Sequence, residues 1–430
     1  MNWIRSGLAW RLTLAVGVLV AACGREVPLE VRVDDLLQQR EYGKALDLVE
    51  AALQSEPEAL PIHDLRVRVL LAAGRADEAL SAYAARWSRD VPESLGLFRQ
   101  VAIALLKEAL EGGDGLLRTR AAAALASLAS ADLMPVFREA LKSQDASVRA
   151  LAVQGIGGIS GDETGRLARG SLRDPEALVR AAAAGVLTDR DDTQTRAELE
   201  EAIHDPSREV ALRAAAALAH RGERAAFAFL RQRLRDAEDS TRMQAAEALG
   251  HLGNREAAPD LRALLRDANP YVQVYAGEAL ARLRDPVGRE ALCKALRHSN
   301  RSVALYSAEA FSNLGDATGA PRLVEMLTSA GDLSARLYAA WTLARLGDLR
   351  GEFILEDLLR HGDPQVRIQA VWTLGQVRED VVIPALRLAV LDTARPVRFQ
   401  AAWALATRLV ENGGKRKDEG WLMRGFRPSH

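Results

Sequence analysis

Two cysteines and seven histidines are the side chains of this 430-residue sequence with most scope for nucleophilic, redox or metal chemistry. Cys23 follows directly on residues 12–22, an uncharged, mostly apolar run preceded by Arg5 and Arg11. That run is too short to span a bilayer comfortably, and it reads as an export signal that ends in a thiol. Cys293 lies in Ala291-Leu292-Cys293, an apolar setting that predicts a buried, inert thiol. Two cysteines this far apart exclude a disulfide framework. His63, His204, His220, His251, His298, His361 and His430 show no ligand spacing relative to one another, so no metal site is expected. No phosphate-binding loop, nucleophile elbow, H-E-x-x-H or haem-attachment motif is present either. The expectation is a protein that is not an enzyme and needs no cofactor.

The tetrad Val20-Ala21-Ala22-Cys23 resembles the lipobox of bacterial lipoproteins, in which the cysteine sulfur takes a diacylglyceryl group and becomes the mature N-terminus. The resemblance implies a signal peptide over 1–22, lipid attachment at Cys23 and a linker over 23–33. Acyl chains at about 0.8 kcal/mol per buried methylene would tether the chain to a membrane without spanning it. An ordinary secretory signal and a short uncleaved anchor are the other readings of the same residues. By similarity to Gram-negative lipoproteins, Gly24, where an Asp would favour inner-membrane retention, implies the periplasmic face of the outer membrane.

The composition says what these groups are mounted on. Hydrophobic residues make up 48% but aromatic ones only 5%, and Ala and Leu dominate, which favours helices packed through small side chains. Basic and acidic residues number 57 and 58, so no cationic excess is available for a phosphate backbone and nucleic acid is set aside as a partner.

Internal repetition is the strongest signal. A motif of the form V-R-x-x-A-A-x-A-L places register positions at Arg118, Arg149, Arg180, Ala211, Arg242, Gln273, Ala304, Arg336, Arg367 and Arg398. Each step is 31 residues except the 32 between Ala304 and Arg336. Asp174, Asp205, Asp236, Asp267 and Asp392 fall 25 residues after a register position and are expected to cap the next helix, with Pro175 and Pro206 in its first turn. Gly222, Gly253, Gly315 and Gly347 are placed to end the first helix of a unit. Pro135, Pro259, Pro321 and Pro384 are placed to open the second. Each unit is then a helical hairpin with two apolar faces that only stacking can bury.

With stretches such as "VALYSAEAF" at 303–311 and "VRIQAVWTLG" at 366–375, the chain resembles the HEAT-like repeats of the phycobilisome-lyase type over residues 115–410. The resemblance implies an all-α fold, a right-handed α-solenoid of about ten hairpins over 114–410. Two enzymes carry related repeats. Deoxyhypusine hydroxylase binds iron through His-Glu pairs, and this sequence has no such dipeptide. Bilin lyases serve a pigment pathway that an exported lipoprotein would not meet. Before the array, over 34–113, the period changes: Ala45 and Ala79 are 34 residues apart, in Tyr42-Gly43-Lys44-Ala45-Leu46 and Ala76-Asp77-Glu78-Ala79-Leu80. These resemble the second helices of two degenerate tetratricopeptide repeats. After it, 411–430 is rich in Gly and charge and reads as a flexible tail, with Trp421 and Phe426 able to fold back on the last repeat.

On the first helix of each unit, residues two and five after the register position point away from the buried arc. The first column carries Tyr275, Tyr306 and Tyr338, then Gln369 and Gln400. The second carries Glu247, Glu278 and Glu309, then Trp341, Trp372 and Trp403. An aromatic strip of this kind is an anchor for a partner, or it packs the units together. The second helices, expected to line the concave side, carry mixed charge and read as a solvated face. The function expected is a membrane-tethered scaffold or adaptor for protein partners in the cell envelope. A binding protein for a small molecule or glycan, and a structural role in an envelope complex, are the alternatives.

Overall fold

The computed structural model of the chain describes residues 27–85, 95–112, 115–128, 130–327, 333–377 and 382–411. Residues 1–22, read above as a signal, and Cys23, Trp421 and Phe426 lie outside them. Among the described residues there is no strand, and the chain divides into two units, Met1–Glu108 and Ala109–His430.

The first unit contains α1 (Leu29–Gln38), α2 (Tyr42–Ser55), α3 (Leu60–Ala72) and α4 (Ala76–Ala84), and the division falls within α5 (Leu95–Gly112). α1 begins inside the stretch read as a linker, because Leu29 and Val33 belong to the apolar cluster built on Ala45, Val49, Leu65 and Val69. Two tight turns precede the second helix of each hairpin. Arg40 and Gly74 have left-handed φ of 57° and 71°, and the N–H groups of Glu41 and Arg75 close them on Leu36 O and Leu70 O, each at 2.9 Å. The two turns lie 34 residues apart, the period read from Ala45 and Ala79.

The second unit is a run of hairpins. It begins with α6 (Gly115–Leu128) and α7 (Met134–Ala140), α8 (Ala146–Gly157) and α9 (Asp162–Ser171), α10 (Ala177–Val186) and α11 (Thr193–Ala202). Next come α12 (Arg208–His220) and α13 (Arg224–Arg233), α14 (Asp239–Leu252) and α15 (Ala258–Leu264), α16 (Pro270–Arg282) and α17 (Pro286–Ala295). It ends with α18 (Arg301–Asn313) and α19 (Ala320–Leu327), α20 (Leu333–Arg345) and α21 (Leu349–Leu358), α22 (Pro364–Gly375) and α23 (Ile383–Ala389), and α24 (Arg395–Glu411). Even-numbered helices from α6 carry the register positions. This is an all-α solenoid.

The two layers pack unequally. Each even-numbered helix packs on the next, whereas of the odd-numbered ones only α19 and α21 pack on each other to any extent. Where a two-layer array bends, the layer whose members stay in contact is the inner one, so the even-numbered helices line the concave side. This reverses the expectation for the second helices. The sequence reason is side-chain size. A Cβ on Gly250 would stand 2.7 Å from Ala279 Cα, and one on Gly375 2.9 Å from Ala404 Cβ, so neighbouring backbones approach closely only because these positions are Gly and Ala. The bend is carried far enough that α24 packs on α6, and the inner layer closes on itself.

Loop chemistry differs from expectation at one point. Asp174 and Asp205 accept the N–H of Glu176 and Ser207, two residues on, at 2.9 and 2.8 Å, but the helix N-caps are Glu176 and Ser207 themselves. The aspartates therefore close a turn ahead of the helix, and Pro175 and Pro206 sit outside it. Pro135, Pro259 and Pro384 do lie in first helical turns, and Pro321 is the second residue of α19. Gly222, Gly253, Gly315 and Gly347 all have positive φ, as does Arg284 (60°), which occupies the same offset in its unit.

Candidate binding face

In four units the register Arg holds the unit to its neighbour. Arg180 donates from Nε and Nη2 to both carboxylate oxygens of Asp205, at 2.7 and 2.9 Å, and from Nη1 to the carbonyls of Asp174 and Pro175. Arg149 with Asp174, Arg242 with Asp267 and Arg367 with Asp392 repeat the arrangement. One guanidinium thus ties its own preceding loop to the loop after its hairpin, using the planar fork that lysine lacks. Both partners are nearly buried, at 14% and 11% side-chain exposure for Arg180 and Asp205. Hydrogen bonding from Arg180, with further help from the Ser207 N–H, holds the Asp205 carboxyl below the ordinary carboxylate range against the opposing effect of desolvation. The 25-residue offset between Arg and Asp is therefore an ion-pair spacing.

This staple is missing from three consecutive units. At the same 25-residue offset the sequence has His298 after Gln273, Ser329 after Ala304 and His361 after Arg336, none of them an Arg–Asp pair. His298 and His361 keep only the turn-closing role, each accepting through Nδ1 the N–H two residues on, at 3.0 and 3.1 Å. The inner surface of the same units is where the aromatic columns meet. Tyr271 and Tyr306 rings are 5.4 Å apart edge to face, Tyr306 and Tyr338 6.3 Å, Tyr338 and Trp341 5.1 Å, and Trp341 and Trp372 6.0 Å. Arg345 lies over the Trp341 ring at 4.9 Å. The Trp341 Nε1 is buried and makes no hydrogen bond among the described residues.

Buried polar groups underlie the strip. Glu278 and Glu309 are 8% and 4% exposed. Glu278 accepts from Arg282 at 2.8 Å and from Asn313 Nδ2 at 3.2 Å, and Arg345 donates to Asn313 Oδ1 at 3.2 Å. The Tyr338 hydroxyl donates to Glu309. Buried carboxylates are tolerable only with such partners, and here Asn313 and Tyr338 come from the next unit.

Of the six aromatic residues picked out in the sequence, Tyr306, Tyr338, Trp341 and Trp372 form one half-buried strip. Tyr275 stands in the same column on α16, also half-buried. Trp403 is not exposed: it is 6% accessible, and its Nε1 donates to Ser127 Oγ at 2.7 Å, across the joint between α24 and α6. The reason is ring closure. Trp403 stands five residues and Ser127 nine residues after their register positions, the same offsets that bring Glu278 to Asn313 between adjacent units. Arg120 on α6 also reaches Gln365 on α22, at 3.2 Å. The last unit therefore treats the first as its successor. Cys293 is half-buried rather than buried.

Tyr271, Arg345, Asn313 and Ser127 escaped the sequence reading, although a third column, nine residues after the register position, contains the last three. Among the described residues no group of three or more His, Cys, Asp or Glu side chains is arranged to hold a metal ion, and no helix is long and apolar enough to cross a membrane.

A family model described as HEAT repeats matches residues 103–188, 166–250, 196–269, 229–312, 258–336 and 320–406. Among solved structures, the chain is similar to the Escherichia coli protein YibA, at 22% identity over 60% of this chain and 98% of that one, with a TM-score of 0.35. It is also similar to the CpcE–CpcF complex of phycocyanin lyase from Nostoc, at 19% identity over 57% and 95%, with a TM-score of 0.29. For human deoxyhypusine hydroxylase in complex with glycerol the values are 20%, 64% and 96%, and 0.30. No curated protein matches the sequence.

Proposed function

From the premise that this chain belongs to the HEAT-repeat family, we propose that it is a non-catalytic scaffold or adaptor that holds protein partners on the inner face of its array. Stacked hairpins offer long surfaces rather than closed pockets. The observation that carries this reading is the strip Tyr306–Tyr338–Trp341–Trp372, contiguous and half-buried on the concave side. Tyr and Trp dominate the energetics of protein interfaces because they bring large area at little entropic cost. The scaffold works at the bacterial cell envelope, tethered by lipid on Cys23 and facing the periplasm from the outer membrane. Val20-Ala21-Ala22-Cys23 and Gly24 support that placement. The hairpins of the first unit serve as tetratricopeptide-like repeats, a reading supported by the 34-residue spacing of the turns at Arg40 and Gly74.

The test is affinity purification from membranes of the native chain and of a Trp341→Ala, Trp372→Ala variant, with Trp403 left intact because it is structural. Partners lost from a still-folded variant are the expected result. An unchanged partner set removes the inner face from the proposal. Incorporation of labelled fatty acid, abolished by Cys23→Ala, tests the tether.

A further inference from the structure

The spacing of the strip says what kind of protein segment it holds. Equivalent rings on successive units are 6.3 Å apart for Tyr306 and Tyr338 and 6.0 Å for Trp341 and Trp372. Same-face side chains of an extended chain recur about every 6.4–6.8 Å, two residues at 3.2–3.4 Å each. One alternate side chain of an extended segment thus meets one unit of the array. A polyproline II chain, at about 9 Å per turn, would fall out of step within two units.

Size gives the same answer. Ten helices about 9 Å apart, closed on themselves through α24 and α6, leave an opening on the order of 15–20 Å between facing side chains. A folded domain of a hundred residues, with a radius of gyration of about 13 Å, does not enter. A single segment does, helical or extended, and the ring spacing selects the extended one. Ring orientation completes the argument. The planes are inclined to one another by 86°, 47°, 63° and 32° along the series from Tyr271 to Trp372. They therefore present notches between edges and faces instead of a flat platform, and branched aliphatic side chains fill notches where a sugar ring would want a level face.

We infer that the inner strip from Tyr306 to Trp372 binds an extended peptide segment that presents apolar side chains at every second position. This deepens the scaffold reading and rests on it. The segment runs around the inner wall, crossing α18, α20 and α22. The joints it crosses, between α18 and α20 and between α20 and α22, lack the staple, so the surface that binds is also the surface that joins the units there.

The experiment uses the full-length purified chain and, as probe, a displayed library of random linear dodecapeptides. The expected outcome is enrichment of sequences with apolar residues at alternating positions. Their affinity should fall at least tenfold in Trp372→Ala and in Tyr306→Ala, and stay unchanged in Leu388→Ser, whose side chain is exposed on the outer helix α23. Circular dichroism melts confirm that each variant is folded. Enriched peptides without alternation, affinities indifferent to both inner substitutions, or no enrichment at all would overturn the inference. So would selective retention of soluble oligosaccharides by the native chain and not by Trp372→Ala. In any of these cases a membrane partner still captured by the native chain leaves the scaffold reading standing, whereas loss of both ends it.

Discussion

Trp403→Ala tests whether the inner ring is held shut at its one joint without a connecting hairpin. Burial of a Trp removes about 150–250 Å² from water, and Trp403 is 6% exposed in the joint. At about 25 cal/mol/Å² this gives roughly 4–6 kcal/mol as an upper value, and large-to-small substitution at such sites costs about 3–5 kcal/mol. In an array whose units pack chiefly on their neighbours, parting α24 from α6 requires no unit to unfold. The loss therefore falls mainly on closure and raises the open-to-closed ratio by about two to four orders of magnitude. A bis-maleimide bridge between Arg120→Cys and Gln365→Cys, whose native side chains meet at 3.2 Å, reports closure when both native cysteines are removed. Small-angle scattering reports the accompanying expansion. Trp403→Phe keeps most of the packing and deletes only the bond to Ser127 Oγ, about 1 kcal/mol, so it should bridge almost as the parent does. If Trp403→Ala bridges as fast as the parent and scatters identically while melting earlier, Trp403 serves its own hairpin and the joint is held by something else.

Three further outcomes are expected. Arg180→Ala should destabilise by about 2–4 kcal/mol in denaturant titrations, because it leaves the nearly buried Asp205 without its main partner; the reverse change, Ala211→Arg, should gain about 1 kcal/mol by supplying Asp236 with the missing staple, and equal, small effects would refute the assignment. The staple carboxylates Asp174, Asp205 and Asp392 have depressed pKa values in the folded chain, so their contribution is present above the ordinary carboxylate range and lost as pH falls through the depressed values; the melting difference between the parent and Asp205→Asn should be constant near neutrality and shrink below about pH 4, and a difference that grows there would have the wrong sign. Arg284→Gly, at φ 60°, should raise stability by about 0.5–1 kcal/mol, since the left-handed conformation suits Gly and is strained for Arg; a lower melting temperature would show that the Arg284 side chain matters more than its backbone.

What the sequence made legible was whatever recurs. The register Arg, the preceding Val and the turn glycines repeat at fixed offsets, and the helices fall where those offsets place them. The Asp 25 residues on was visible too, but its role was not. An Asp that closes a turn and an Asp that caps a helix carry the same local signature, and only the arrival of Arg149 or Arg180 from the previous unit separates them. Closure was not legible at all. It depends on a small bend per unit, summed over ten, and that bend is set by contacts such as Gly250 against Ala279 that no local pattern marks. The aromatic columns were found from helical geometry alone. Which of their members face a partner required the bend, because the same column that leaves Trp372 half-buried carries Trp403 into the joint with Ser127.

The distribution of staples and rings points to a coupling between binding and stiffness. Where Arg and Asp are both present, as at Arg180 and Asp205, neighbouring units are locked on the loop side by a bidentate ion pair. From Gln273 to His361 the lock is missing, and the inner face joins the units instead, through Glu278 with Asn313, Tyr338 with Glu309 and the ring contacts. Side-chain contacts between half-buried rings can be repacked by about a rotamer at low cost, whereas a buried ion pair that loses a partner costs several kcal/mol. These units, the longest run without the lock, are thus suited to adjust to a segment lying against them. A ring that could flex equally everywhere would spread the adjustment over all ten joints. Here three successive unstapled joints, from α16 to α22, lie beneath the aromatic contacts, and the expected consequence of a bound segment is a change of bend where it binds, passed on to the joint between α24 and α6 because a closed ring has no free end to absorb it.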